Sequence, residues 1–252
     1  MKKALHRAAI FLGYSANIAA QAPLASIKLQ SVINLEVGVP DPLEAEQLLY
    51  YQSEYIRWSI GQGLSELDQC YQRFVVSAIN TVVNLDYFVK TKEFPESRKP
   101  NLENSWNVHE QFFKLSGQRS EFHLTESGFL RSLGNARNCL AHSSGVVSER
   151  LLNESGRLIV RWPGRDMFMT RPSADPMLLP RDRGHVVAAE DVGAEFSVVP
   201  VTREQSYQVN DIIQFSATDL SEIIYFYQHL AMQVGAEIHR RVYEAIDAET
   251  IA

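Results

Sequence analysis

The sequence has only two cysteines, Cys70 and Cys139, among its 252 residues. So few thiols, so far apart, match neither the framework of a disulfide-bonded domain nor the ligand spacing of a zinc site. We therefore expect a reducing, cytoplasmic environment, no metal or other cofactor, and thiols that mainly fill the core.

Long hydrophobic runs are also absent, and no stretch approaches the ~20 apolar residues of a membrane-spanning helix. Near the N-terminus, basic residues precede a short apolar stretch as they do in a secretory leader, but Gly13 and Asn17 interrupt that stretch. The pattern therefore predicts an N-terminal helix or arm over residues 1–40 and no contact with a membrane.

Basic residues are outnumbered, since 24 Lys and Arg face 30 Asp and Glu and give a formal net charge of −6. This balance excludes a protein that coats nucleic acid by bulk electrostatics, so any such contact must be local. No lysine follows Lys114, and arginines with interleaved aromatic residues precede the last helical pattern. Because guanidinium groups bind phosphates and aromatic rings stack on bases, the candidate RNA contacts are Arg157, Arg161, Trp162 and Arg165. The alternative is that neighbouring aspartates neutralise this cluster.

Helical spacing of apolar residues dominates the rest of the sequence, which is 45% hydrophobic and long enough to bury a core. The strongest helix start is Asp41, followed by Pro42, and the pattern then continues to about residue 85. Gly61 and Gly63 interrupt it, which leaves open whether one bent helix or two form. Further helices are predicted at residues 102–115, from a cap at Thr125, and at residues 218–246.

Residues 149–214 change from helical spacing to the alternation that is typical of strands. Residues 157–162 and 167–170, with Pro163 and Gly164 between them, predict a β-hairpin, and weaker strands are predicted at residues 185–188, 196–201 and 207–213. The expected fold is therefore mainly α, with a helical bundle at residues 41–252 and a small β-sheet or hairpin inserted before the last helix.

The densest chemistry in the sequence lies in the string Arg137-Asn138-Cys139-Leu140-Ala141-His142. A strong cation, an amide and an imidazole fall in the last turns of a predicted helix that Gly145 is placed to end. At about 100° per residue, Asn138 and His142 lie on one face, and Arg137 has a side chain long enough to reach round. All three side chains are therefore expected to converge on one anion.

This string resembles the signature of the HEPN superfamily, in which an arginine, commonly followed by asparagine, is separated by four to six residues from a histidine. Arg137, Asn138 and His142 match that signature position by position. The resemblance implies a HEPN-like helical bundle, a homodimer whose two motifs line one cleft, and a metal-independent endoribonuclease. Such enzymes belong to defence or toxin–antitoxin systems, where an antitoxin or other regulatory protein is the expected partner. Some members also carry an acidic residue on an earlier helix, which the sequence pattern does not identify.

RNA supplies its own nucleophile, the 2′-hydroxyl beside each phosphodiester, so cleavage requires a base and a cation but no metal. Imidazole exchanges protons near neutral pH, and guanidinium binds phosphate oxygens through a fork of N–H donors. His142 is therefore the predicted base and Arg137 the predicted cation, while Asn138 is predicted to orient the imidazole or the phosphate. DNA lacks the 2′-hydroxyl, so RNA is the predicted substrate.

Three other interpretations stay open from the sequence. In the first, Arg137 is a helix residue paired with a carboxylate, and His142 is favoured at the helix C-terminus by the macrodipole. In the second, the chain is a HEPN-like module that binds a nucleotide or a protein without catalysis. In the third, Cys139 is a nucleophile and His142 is its base, although no orienting acid is identified.

Overall fold

The structure is a computed structural model that describes residues 10, 13, 45–91, 93, 104–118, 120–181, 185, 186 and 188–250. Apart from Ile10 and Gly13, the predicted N-terminal helix or arm at residues 1–40 and the helix start at Asp41 lie outside these residues. The helices and strands of the described chain are α1 (Ala45–Thr91), α2 (Ser105–Leu115), α3 (Glu121–His142), β1 (Leu158–Thr170), β2 (Met177–Leu178), β3 (Glu195–Tyr207) and α4 (Ala217–Thr250).

The expected mainly helical fold with a small β-sheet before the last helix is confirmed. α1 contacts the other three helices of the described chain, and β1 contacts α3 and α4. Buried apolar side chains of these elements form one core, whose largest members include Leu67, Tyr71, Leu130, Trp162 and Ile223. Among the described residues, no helix combines the length and hydrophobicity that crossing a bilayer requires.

α1 runs for 47 residues without a break at Gly61 or Gly63, so the predicted helical stretch is a single helix. Gly61 is buried where α1 meets the end of α3. A Cβ added at Gly61 would lie 3.0 Å from the backbone nitrogen of Ala141 and 3.0 Å from Cβ of Leu140. Glycine at this position therefore lets the two helices approach closely.

Alanine at Gly61 is expected to lower the free energy of unfolding by about 1–3 kcal/mol, because the added methyl group forces the two helices apart. Gly235 in α4 is the matched control, since a Cβ added there meets nothing within 4 Å. Alanine at Gly235 is expected to raise the free energy of unfolding by about 0.5–1 kcal/mol through its higher helix propensity. Urea denaturation measures both effects, and stabilisation at both positions would contradict the close packing of α1 on α3.

α3 begins at Glu121, four residues before Thr125, so the predicted cap at Thr125 is wrong. Ser120 is the N-cap, and its hydroxyl oxygen accepts a hydrogen bond of 3.4 Å from the backbone N–H of His123. Thr125 lies inside the helix and donates its hydroxyl to the carbonyl oxygen of Glu121 at 3.0 Å. Phe122 is exposed, so the first turn has no buried stripe that would mark the start of the helix.

The predicted β-hairpin is wrong, because β1 continues straight through Pro163 and Gly164. β1 pairs antiparallel with β3 along its whole length, with Pro163 opposite Thr202 and Gly164 opposite Val201, while β2 pairs with the last residues of β1. Pairing with β3 over 13 residues outweighs the local turn preference of a Pro-Gly pair. The Arg203 side chain also covers Gly164, where a Cβ would overlap it.

One of the weaker predicted strands, residues 196–201, lies within β3, whereas residues 208–213 and the described residues 185, 186 and 188 form no regular strand. His185 and Ala188 belong to a loop that hydrogen bonds to Asp191 hold in place. His185 Nε2 and the backbone N–H of Ala188 each lie 2.8 Å from a carboxylate oxygen of Asp191. Beyond β3, Ile212 forms only an isolated bridge to Val146. The sheet therefore has three strands in the described chain, in the order β2-β1-β3.

Candidate active site

Arg137 extends from α3 into the helical bundle and pairs with Asp68 of α1. Its Nη2 lies 3.4 Å from Asp68 Oδ2, and 20% of the Arg137 side chain is exposed. Asp68 also accepts hydrogen bonds from Ser105 Oγ of α2 at 2.5 Å and from Tyr227 Oη of α4 at 3.3 Å. One carboxylate therefore joins all four helices and fixes the position of the guanidinium.

Burial and the surrounding charges set the protonation state of Tyr227 in this cluster. Burial raises the pKa of the Tyr227 hydroxyl well above its usual range; the charge of Asp68 raises it further, and that of Arg137 lowers it. Tyr227 therefore stays protonated and donates to the Asp68 carboxylate. Arg137 Nε is buried and has no hydrogen-bond partner in the described part of the chain, so the guanidinium keeps one unused donor.

A second polar cluster lies beside the first in the core of the bundle. Tyr71 Oη is 2.6 Å from Nδ1 of the fully buried His109, and His109 Nε2 is 3.4 Å from Oε2 of Glu126. The rings of Tyr71 and Tyr227 make an edge contact at 5.9 Å. Among the described residues, no group of three or more His, Cys, Asp or Glu side chains is placed to hold a metal ion.

His142 is the last residue of α3, and its imidazole is exposed. Ser144 and Gly145 follow in the left-handed conformation, with φ of 51° and 81°, so the predicted helix end is confirmed. Arg57 of α1 donates from Nε to the carbonyl oxygen of Ser144 at 2.8 Å, which places a second arginine beside the loop that follows His142. Neither His142 nor the half-buried Asn138 makes a side-chain hydrogen bond to a described residue, so both are free to bind a ligand.

Within one chain, the structure brings together only two of the three predicted motif residues. In α-helical geometry Asn138 and His142 are about 40° apart, whereas Arg137 and His142 are about 140° apart. Arg137 accordingly pairs with Asp68 inside the bundle, and His142 faces solvent. Because Asp68 holds the Arg137 guanidinium, the expected convergence of all three side chains on one anion stays a prediction.

Asp68 is the residue that sequence reasoning missed, although the sequence contains a signal for it. Asp68 lies in the buried stripe of α1 between Leu64 and Tyr71, where apolar residues recur at helical spacing. A carboxylate in such a stripe needs a buried partner, because an unpaired buried charge is costly. The pattern thus indicates an ion pair, and the packing of α1 on α3 identifies Arg137 as the cation.

Cys139 is fully buried, and its Sγ donates to the carbonyl oxygen of Val146 at 3.2 Å. Burial raises the pKa of the thiol to about 11, and the nearby charge of Arg150 lowers it only in part. The thiol therefore stays protonated at neutral pH and lacks the thiolate character that nucleophilic attack requires. These observations argue against Cys139 and His142 as a catalytic pair.

Alkylation by iodoacetamide at pH 8 is expected to modify Cys139 far more slowly than Cys70, which is half-buried. With a pKa of about 11, roughly one Cys139 side chain in a thousand is a thiolate at that pH, and burial also blocks the reagent. Mass spectrometry of the peptides measures both rates, with urea-unfolded protein as the control in which both thiols react. Equal rates in the folded protein would contradict the burial of Cys139.

The predicted RNA contacts separate into two groups in the structure. Arg157 and Arg161 are exposed beside α3. Arg157 donates to Ser206 Oγ at 3.0 Å, and Arg161 pairs with Glu204 at 2.6 Å. These two arginines are therefore accessible to a ligand, although Glu204 offsets the charge of one of them.

Trp162 and Arg165 instead face α4. Trp162 is 1% exposed and donates its indole N–H to Glu222 at 3.2 Å, so the prediction that it stacks on bases is wrong. The guanidinium carbon of Arg165 lies 4.0 Å from the ring centroid of Tyr225, and its Nη2 donates to Tyr225 Oη at 2.7 Å. These two side chains anchor the sheet to the last helix.

Carboxylates also pair with other arginines of the β region, although no neighbouring aspartate pairs with the predicted RNA contacts Arg157, Arg161 and Arg165 among the described residues. Asp166 pairs with Arg203 at 2.7 Å, and Glu222 pairs with both Arg181 and Arg203, at 2.8 Å and 3.1 Å. The sequence pattern did not identify Glu222, because that residue comes from α4.

Comparisons of this chain with models of protein families, with curated proteins and with solved structures find no match.

Proposed function

We propose that the protein is a metal-independent endoribonuclease that cleaves RNA by attack of a 2′-hydroxyl on the neighbouring phosphodiester. The observation that carries the proposal is the ion pair of Arg137 with Asp68, which positions a guanidinium inside the bundle five residues before the exposed imidazole of His142. Some HEPN members carry an acidic residue on an earlier helix, and we propose that Asp68 of α1 takes that role here. The ion pair that Asp68 makes with Arg137 supports this part of the proposal.

Each step of the proposed reaction uses a named side chain. His142 removes the proton from the 2′-hydroxyl, and the resulting oxygen attacks the phosphorus. Arg137 stabilises the negative charge that builds up on the phosphate oxygens. The bond from phosphorus to the 5′-oxygen then breaks, and that oxygen takes a proton, so the products end in a 2′,3′-cyclic phosphate and a 5′-hydroxyl. Asn138, on the face of His142, orients the imidazole or the phosphate.

The enzyme is proposed to act as a homodimer. One chain holds Arg137 and His142 about 140° apart on α3, so a second copy is needed to bring a guanidinium and an imidazole to one phosphate. Two copies also supply both a base and an acid. Aromatic side chains of α1, each about half exposed, precede Gly61, the residue at which α1 packs on the end of α3, and support a contact between copies there: Tyr50, Tyr51, Tyr55 and Trp58.

The proposed setting is a cytoplasmic defence or toxin–antitoxin system, in which a regulatory protein restrains the nuclease. This part of the proposal rests on the HEPN resemblance.

The test is cleavage of single-stranded RNA by the purified protein in excess EDTA. Wild-type protein is expected to cut RNA but not DNA of the same sequence, and both His142→Ala and Arg137→Lys are expected to lose the activity. His239→Ala, which removes another exposed histidine, is the matched control and should cut at the wild-type rate. The proposal fails if the wild-type protein cuts no RNA, or if His142→Ala cuts it at the wild-type rate.

A second candidate function is a binding module without catalysis. The observation that favours it is that Arg137 already has a carboxylate partner and that most of its side chain is covered. A binding module predicts association with a nucleotide or a protein in the absence of any cleavage. Wild-type protein that binds RNA but leaves it intact in the assay above would select this candidate.

A further inference from the structure

Two adjoining cavities lie between α3 and the β region, with volumes of about 390 Å³ and about 440 Å³. They share part of their lining, including Arg131 and Asn135 of α3 and Asn153 of the loop before β1. We call the combined feature the arginine groove, because it is lined by Arg131, Arg150, Arg157 and Arg161. Of these four arginines, only Arg157 and Arg161 were predicted from the sequence to contact RNA.

The arginine groove carries a positive charge that the fold does not neutralise. Among the described residues, no carboxylate lines either cavity. Arg131 and Arg150 make no ion pair with a described residue, and Arg157 binds the neutral hydroxyl of Ser206. Only Arg161 has a carboxylate partner, Glu204. In a chain with a net charge of −6, this concentration of positive charge is local.

Hydrogen bonds between the walls keep the arginine groove in shape. The hydroxyl oxygen of Ser132 in α3 accepts the backbone N–H of Arg161 at 2.7 Å and donates to the carbonyl oxygen of Ile159 at 3.2 Å. In the loop before β1, Asn153 Oδ1 accepts the backbone N–H of Arg157 at 3.1 Å. These hydrogen bonds hold the backbone of Arg157 and Arg161 in place. Less conformational entropy is therefore lost when the arginine groove binds a ligand.

The arginine groove is continuous with the motif through one face of α3. Arg131, Asn135, Asn138 and His142 occupy positions i, i+4, i+7 and i+11, which fall within about 60° of one another around the helix. They extend over about 16 Å along its axis. A row of two arginine-bearing cavities, two amides and an exposed imidazole matches an extended polyanion better than it matches a single small anion.

We propose that the arginine groove binds the phosphodiester backbone of single-stranded RNA and leads it along α3 to His142. Guanidinium groups bind phosphate oxygens through two parallel hydrogen bonds, and the amides of Asn135 and Asn138 supply donors and acceptors to the sugar and base edges. This inference deepens the proposed function, on which its choice of RNA rests. Binding in the arginine groove does not itself require cleavage.

The experiment measures binding of fluorescein-labelled oligouridylate by anisotropy, in the His142→Ala background so that the RNA stays intact. The added pair Arg131→Ala and Arg157→Ala is expected to weaken binding at least tenfold. Each lost phosphate contact should also reduce the slope of log K against log salt concentration by about 0.7, hence by about 1.4 for the pair. Arg150→Ala is a second, independent variant, and Arg73→Ala removes an exposed α1 arginine outside both cavities as the matched control.

Each outcome decides the inference. Unchanged affinity and salt slope in the Arg131 and Arg157 pair, or equal losses in Arg73→Ala, would overturn it. Displacement of the RNA by polyglutamate at equal charge concentration would also overturn it, because the arginine groove would then be selective for acidic peptides or for charge alone. Groove-dependent binding by a protein that never cuts RNA would support the inference while the proposed nuclease fails.

Discussion

Replacing Arg137 by alanine is expected to lower the free energy of unfolding by about 3 kcal/mol and to abolish RNA cleavage. The stability loss follows because Asp68 would stay buried with only the neutral donors Ser105 and Tyr227. The loss of cleavage follows because no other cation is proposed to stabilise the phosphate in the reaction. Urea denaturation followed by circular dichroism gives the first quantity, and the rate of RNA cleavage gives the second.

Two further variants separate folding from catalysis at this ion pair. Arg137→Lys keeps a positive charge near Asp68 but loses the planar fork, so it should retain most of the stability and lose most of the activity. The double variant Asp68→Asn with Arg137→Gln removes both charges and should recover part of the stability without recovering cleavage. Full cleavage by Arg137→Lys in a stable protein would contradict a specific role for the guanidinium.

Replacing His142 by alanine is expected to slow RNA cleavage by ~10²–10⁴-fold, the usual contribution of a general acid or base. The free energy of unfolding should change by less than about 0.5 kcal/mol, because the imidazole is exposed and makes no side-chain hydrogen bond to a described residue. Substitution of His142 is therefore expected to reduce activity without affecting stability, whereas substitution of Arg137 by alanine is expected to affect both. Single-turnover cleavage and urea denaturation measure the two effects.

His239→Ala controls for the loss of an exposed histidine, since His239 lies on α4 and its ring contacts that of Tyr243 at 4.4 Å between centroids. Equal cleavage rates for the His142 and His239 variants would show that the His142 imidazole takes no part in the reaction. A large stability loss in His142→Ala would show instead that the residue is a helix-terminus contact, as the macrodipole interpretation holds.

Local periodicity predicted the helices better than it predicted where their ends lie. α4 follows from nearly unbroken apolar spacing, whereas the spacing of α1 left open whether Gly61 and Gly63 divide it. The end of α3 follows from Gly145, whose φ of 81° is a conformation that glycine adopts readily. The hairpin prediction failed because Pro163 and Gly164 act locally, whereas pairing of β1 with β3 joins residues 25 to 49 positions apart. Local sequence preferences carry no information about such a distant partner strand.

The candidate site shows the same division. The motif in α3 was visible from spacing, but the direction of each side chain depends on what packs around the helix. Asp68 turns Arg137 into the bundle, and no pattern in α3 contains that information. Trp162 could have been assigned to the core, because Leu158, Val160 and Trp162 stand at every second position of β1 and so share one buried face.

The most direct test of the account uses an RNA substrate with a single 2′-deoxynucleotide on the 5′ side of a mapped cleavage site, incubated with wild-type protein in EDTA. If the 2′-hydroxyl is the nucleophile, cleavage stops at that bond and continues at neighbouring sites, and the products of the unmodified RNA end in a 2′,3′-cyclic phosphate or a 3′-phosphate. Cleavage at the deoxy-substituted bond, or products that end in a 3′-hydroxyl, would contradict the mechanism.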